Sequence, residues 1–188
     1  HSANSVVSER ALREIYLKAY EYCVKDAGAY SIMSTYGPLN GIWTGGNYDL
    51  LTTILRKEWG FDGIVMTDWW AKLNEEGEDG YRENTTPMVR AQNDLYMVAG
   101  DSFSNSNNDN TQEGLLAGKI TRGELVRNAA NICRVIMKLP VMDTFIGIID
   151  EVTELNVPES KKAPVISQPS AEVTDYISLN TSTLATET

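Results

Sequence analysis

The chain has 188 residues, 42% of them hydrophobic, with a net charge of -10 and a pI near 4.6. That is enough apolar sequence for one globular domain, which excludes a wholly disordered chain. So acidic a chain repels phosphate backbones and anionic lipid, so neither nucleic acid nor a membrane is expected as a partner; a neutral substrate such as a sugar is compatible with it.

Residues Ser8 to Asp26 predict an amphipathic helix, capped by Ser8, with Leu12, Ile15, Tyr16, Ala19, Tyr20 and Cys23 on its inner stripe. Gly28 ends it, and Tyr30 to Thr35 is an apolar run of strand length. Tyr36 to Gly41 is a turn cluster. Asn47 caps a second helix that buries Leu50, Leu51, Ile54 and Leu55 and closes at Gly60. Ile64 to Thr67 is a second buried strand, followed by a polar loop from Lys72 to Glu83. Pro87 suits a first helical turn, and the short helix it opens leads to a third strand, Leu95 to Val98. After a polar loop over 101–110, a short helix covers Thr111 to Ala117. A longer helix, Thr121 to Lys138, opens with a Thr121/Glu124 capping box. Its inner stripe reads Leu125, Ala129, Ile132, Cys133 and Ile136, and Pro140 stops it.

Short, continuously apolar strands alternating with amphipathic helices indicate a parallel sheet covered by helices. About three strands are present, whereas a closed eight-strand barrel takes about 250 residues. The pattern fits either a small open α/β sheet or part of a barrel. Residues 1–143 form this unit; 144–188, with Pro158, Pro164 and Pro169 and a Ser/Thr-rich end, read as an extended arm or a disordered tail.

Cys23 and Cys133 fall at apolar helix positions and are expected to be buried free thiols. The lone histidine, His1, builds neither a zinc site nor a His-based triad, so no metal and no cofactor is expected. The polar start holds neither a signal peptide nor an initiator Met, so the chain reads as cut from a longer one. Free thiols favour a cytoplasmic location, and a secreted one stays open. The sequons at Asn84 and Asn180 are given no role.

The chemistry concentrates in Lys57 to Trp70, KEWGFDGIVMTDWW, where a buried strand ends directly in an acid and two tryptophans. In parallel α/β sheets, sites lie beyond the carboxyl ends of strands. Asp68 is therefore placed as a catalytic carboxylate, with Trp69 and Trp70 offering faces for the C–H groups of a sugar ring. The plainer reading is an Asp that caps the next segment, with core tryptophans. Met33 to Tyr36 likewise ends a strand in a polar aromatic. A Tyr36 hydroxyl there can hydrogen-bond a carboxylate on the neighbouring strand, or it is simply a half-buried tyrosine.

The blocks SERALREIYL (Ser8 to Leu17), SIMSTYGPLNG (Ser31 to Gly41) and LLTTILRKEWGFDGIVMTDWWA (Leu50 to Ala71) resemble consecutive blocks of family-3 glycoside hydrolases, chiefly β-glucosidases. NAANICRVIMKLP (Asn128 to Pro140) resembles the helix that closes the barrel domain in many bacterial members, and the likeness runs over roughly 3–142.

The resemblance implies the C-terminal portion of a (β/α)8 TIM-like barrel with an extended irregular tail, from a bacterium. It implies Asp68 as nucleophile at the end of the seventh strand, Trp69 at the sugar subsite, Tyr36 beside the nucleophile and Met33 near the same mouth. Arg13 and Glu14 belong to a block taken as structural.

The family's upstream Asp, Arg and Lys-His are absent from this sequence, and its acid/base Glu comes from a second domain. Glu75, Glu76, Glu78 and Glu83 lie on a solvated loop with no means of raising a pKa, and are set aside for that role. A second polypeptide or domain is therefore expected to carry the remaining barrel and the acid/base, and the chain is expected neither to fold nor to work alone.

The expected substrate is a β-glucoside or oligosaccharide. A family-3 β-xylosidase or N-acetylglucosaminidase, a non-catalytic sugar-binding fragment, and an unrelated phosphate-binding barrel are the alternatives. Gly100-Asp101 with the Asn-rich run after it is a poor phosphate cradle.

Overall fold

The computed structural model describes residues 3–101 and 103–145. The arm expected over 144–188 lies, from residue 146 on, outside the described residues.

The first helical stretch runs in three pieces: α1 (Glu9–Ala11), a π-helical turn (Leu12–Tyr16) and α2 (Lys18–Lys25). Ser8 Oγ accepts from the Ala11 N–H at 3.3 Å, the cap expected from sequence. The inner stripe differs from expectation. Ile15, Tyr16, Ala19, Tyr20 and Cys23 are exposed, and Val24 is the buried residue. A π turn inserts an extra residue into the helical repeat and so changes its phase, moving the buried position past Cys23.

β1 (Ser31–Met33) lies parallel to β4 (Ile64–Met66), with Ile32 opposite Val65 and Met33 opposite Met66. Leu95 extends the sheet by a single parallel bridge to Met66. The expected third strand, Leu95 to Val98, pairs no further. The Met97 N–H donates to the Thr67 hydroxyl at 2.8 Å, not to a strand carbonyl, and the Met97 carbonyl accepts from the Trp70 N–H beyond the strand end. Between the parallel strands, β2 (Pro38–Leu39) and β3 (Ile42–Trp43) form a hairpin through Asn40 and Gly41, both at positive φ (51° and 91°). Asn-Gly is the pair that such a two-residue turn favours.

Asn47 caps the second helical stretch as expected, its Oδ1 accepting from the Leu50 N–H at 3.0 Å. The stretch Asp49–Glu58 is π-helical where an α-helix was expected. Leu51, Leu55, Phe61, Val65, Ala91 and Val24 make the core between this helix, α2 and the sheet.

α3 (Thr86–Ala91), with Pro87 in its first turn, is followed by α4 (Thr111–Leu116), α5 (Arg122–Met137) and α6 (Pro140–Phe145). The Thr121/Glu124 capping box opens α5 as read from sequence, and Pro140 starts a new short helix.

The buried face of α5 is Asn128, Asn131 and Val135; Ala129, Cys133 and Ile136 are exposed. This face meets polar groups. Asn128 donates to the carbonyls of Val89 and Asn93, both at 3.3 Å, and Asn131 donates to Asp94 at 2.8 Å. Both cysteines are free and exposed, which corrects the expected burial. Asn84 is buried and accepts from Asn110 at 2.8 Å, an environment closed to glycosylation.

Among the described residues no helix is long and apolar enough to cross a membrane.

Candidate active site

β4 is the middle strand, and its carboxyl end is the best-anchored point of the sheet. Thr67 is fully buried. Its N–H donates to the Leu95 carbonyl at 2.9 Å, and its hydroxyl accepts from Met97. Asp68 follows where the chain leaves the sheet, half-buried, with Oδ1 accepting from the Trp69 N–H at 2.8 Å. The chain turns at once: the Ala71 N–H reaches the Asp68 carbonyl at 3.3 Å, and Trp70 takes a left-handed φ of 54°.

Tyr36 arrives from the neighbouring strand. The segment before it is pinned by the Ser34 N–H on the Met66 carbonyl at 2.8 Å and the Thr35 N–H on the Thr44 hydroxyl at 2.9 Å. The Tyr36 hydroxyl hydrogen-bonds the Asp68 carboxylate. Partial burial, reinforced by the Asp68 charge and this hydrogen bond, holds the phenol above its ordinary range, so it stays protonated as a donor.

Trp69 is 39% exposed and Trp70 49%, so neither is the core tryptophan of the plainer reading. The turn after Asp68 is the reason. It returns Ala71 and Leu73, not an indole, to the core.

Met33 is exposed, beside the half-buried Ile32. It lines a cleft with Leu17, Tyr20, Thr44 and Leu50, to which Asp68 does not contribute. The structure thus brings Asp68 and Tyr36 into contact and sets Trp69 beside them in sequence, while Met33 lines the cleft with Thr35, one residue before Tyr36.

Of the loop acids, Glu75 is taken up by Arg90 at 2.6 Å, while Glu76, Glu78 and Glu83 are exposed. Tyr96 was not singled out from sequence; its hydroxyl donates at 3.0 Å to the Ala71 carbonyl in the turn after Asp68, and burial holds the phenol above its ordinary range.

Among the described residues no group of three or more His, Cys, Asp or Glu side chains converges as a metal site would require. A larger cleft of about 650 Å³ lies between Leu12, Leu39, Tyr48, Asn74 and Arg90. Its charges are largely consumed in pairs, Arg90 with Glu75 and Arg13 with Glu9. The strand-end position with a paired carboxylate is therefore the stronger candidate.

Residues 1–135 match the family model described as the glycosyl hydrolase family 3 N terminal domain. A beta-glucosidase of Ruminococcus albus is 50% identical over 158 residues, 84% of this chain but only 16% of the relative. An exo-alpha-(1->6)-L-arabinopyranosidase of Bifidobacterium longum is 55% identical over 65 residues, 35% of this chain and 9% of the relative. The solved structure of a beta-glucosidase from Paenibacillus barengoltzii superposes with a TM-score of 0.72 at 57% identity, covering 74% of this chain and 15% of that one. Beta-glucosidase 3B from Thermotoga neapolitana, solved with glucose, gives a TM-score of 0.64 at 35% identity, covering 76% and 19%.

The chain thus spans about a sixth of the length of these longer proteins. The matching model is that of the family's N-terminal domain. This corrects the expected placement of the chain as the C-terminal part of the family's barrel.

Proposed function

Since this chain belongs to glycosyl hydrolase family 3, we propose that it forms the nucleophile side of a retaining glycosidase site that releases glucose from β-glucosides. The observation that carries this is Asp68 at the carboxyl end of the central parallel strand, held by the Tyr36 hydroxyl from the strand beside it. An ionised carboxylate so placed attacks the anomeric carbon and forms a glycosyl-enzyme, which water then hydrolyses. The acid/base carboxyl has to stand about 5–5.5 Å from the nucleophile.

Among the described loop acids Glu75 is paired with Arg90 and Glu76, Glu78 and Glu83 are exposed, so the acid/base is assigned to sequence outside the described residues. The same holds for the missing strands. Three parallel segments fit part of a (β/α)8 wall, and they leave Ile15, Tyr16, Tyr20 and Met33 exposed for the rest of a barrel to cover. The arabinopyranosidase likeness over 65 residues favours a second reading of the sugar, since the segments shared between the two activities do not decide it.

A 2-deoxy-2-fluoro glucoside with an activated leaving group is expected to inactivate the intact protein by adding one sugar to Asp68. Peptide mapping of the labelled protein checks this, and a label on any other carboxylate overturns the assignment. Trp69→Ala is expected to weaken a glucose-like inhibitor about tenfold, on the order of 1.4 kcal/mol, with little change in melting temperature. Unchanged affinity together with a large loss of melting temperature shows instead that Trp69 is a packing residue.

A further inference from the structure

The segments that leave Tyr36 and Asp68 are joined by a buried amide. Tyr36 runs into the β2–β3 hairpin, and Asp68 runs through its tight turn to Leu73 and Asn74. Asn74 is 3% exposed. Its Oδ1 accepts from the Trp43 N–H at 2.9 Å, and its Nδ2 donates to the carbonyls of Gly41 at 3.0 Å and Glu78 at 3.1 Å. The Trp43 N–H can only donate and the two carbonyls can only accept, so the amide is held in one orientation with both of its N–H groups used. A carboxylate here would face two carbonyl oxygens, and an aliphatic side chain would leave the Trp43 N–H without this acceptor.

On the hairpin side the next residue is Thr44. Its hydroxyl accepts from the Thr35 N–H at 2.9 Å and donates to the Thr35 carbonyl at 3.0 Å, and its own N–H reaches the Gly37 carbonyl at 3.5 Å. Tyr36 lies between these two anchored residues. On the other side Leu73 is fully buried against Gly45, where an added Cβ would come within 2.7 Å of its Cδ2. Gly80, further along the same loop, backs onto the Trp43 indole with no room for a Cβ. Contacts thus run from Asn74 to Tyr36 through Trp43, Thr44 and Thr35, and along the chain to Asp68 through Leu73 and Ala71.

The strands themselves do not reach far enough to do this. Among the described residues the ladder between them ends at the Ser34 N–H on the Met66 carbonyl, two residues short of both Tyr36 and Asp68. We infer that Asn74 is a positioning residue that sets the Tyr36 hydroxyl against the Asp68 carboxylate, by fixing the segment after Tyr36 to the segment after Asp68. The inference rests on the reading of Asp68 as the nucleophile and adds to it a residue that acts through the Tyr36 contact.

The test is a double-mutant cycle on kcat in the intact protein with an aryl β-glucoside, each rate taken per site labelled by the 2-deoxy-2-fluoro glucoside. Asn74→Ala is expected to lower kcat per site about tenfold at nearly constant KM, as a misplaced catalytic contact does. In Tyr36→Phe, which lacks the hydroxyl to be positioned, the same substitution is expected to lower kcat less than about twofold. Thr44→Val deletes the hydroxyl that anchors Thr35 and is expected to show the same loss and the same dependence on Tyr36. It decides the outcome if Asn74→Ala does not fold. Equal losses in the two backgrounds overturn the proposal and leave Asn74 a purely structural amide. An unchanged kcat per site in Asn74→Ala, Thr44→Val or Tyr36→Phe overturns it too, as does a loss confined to KM. Full activity in Asp68→Ala instead overturns the underlying nucleophile reading.

Discussion

Replacing Asp68 by alanine in the intact protein is expected to lower kcat on an aryl β-glucoside by about 10^4-fold or more, while the protein stays folded. The carboxylate is half-buried, and its hydrogen bonds, to the Trp69 N–H and the Tyr36 hydroxyl, are both at the strand end. Losing them leaves no deep cavity, because the fully buried Thr67 and Val65 before it hold the strand. The stability cost is then on the order of 1 kcal/mol.

Azide is expected to recover part of the turnover by attacking from the vacated side, and the product then has inverted configuration. Rate, melting temperature and product configuration together separate the outcomes. Wild-type turnover sinks the nucleophile assignment. Loss of rate with a collapsed melting temperature makes Asp68 a structural cap, the plainer reading its sequence position allows.

What the sequence made legible was whatever rests on local chemistry. Ser8, Asn47 and the Thr121/Glu124 pair cap helices because each spacing puts an oxygen on an orphan N–H, and all three do so here. The parallel pairing of β1 and β4 follows from two short apolar runs around a helical repeat. Asp68 and Tyr36 were legible because each ends such a run.

The rest depends on partners far apart in the chain. Leu51, Ile54 and Leu55 recur at a spacing that an α-helix also buries, so the apolar pattern of 49–58 did not reveal its π winding. The inner face of α5 was misread because it is chosen by Asp94 and by the carbonyls around α3, which call for asparagine amides.

Asp94 is the residue on which most of those distant partners converge, and Asp94→Ala is expected to destabilise the fold by about 3–5 kcal/mol. The carboxylate is fully buried and the Arg56 side chain is 7% exposed; they pair at 2.6 Å. The same Asp94 oxygen accepts from the Val65 N–H at 2.9 Å, and the other accepts from Asn131 at 2.8 Å. Arg56 reaches on to the carbonyls of Gly63 and Gln92, at 3.0 and 3.1 Å. One ion pair thus ties the π-helix, β4 and α5 together.

Burial pushes the Asp94 carboxyl up and the Arg56 guanidinium down, each towards its neutral form, and the hydrogen bonds between them oppose this. The pair therefore returns little net energy when intact, and its removal is costly because of what stays behind. Alanine at 94 strands a buried cation whose Nε already lacks a partner, together with the Val65 N–H and the Asn131 amide.

That origin of the cost predicts strong non-additivity. Arg56→Leu in the Asp94→Ala background should cost much less than Arg56→Leu alone, because the stranded cation goes with it. Urea unfolding of the two single variants and the double variant measures the coupling. Additive losses, or a single Asp94→Ala loss under 1 kcal/mol, show instead that water reaches Arg56 and that the core is held by its apolar cluster alone.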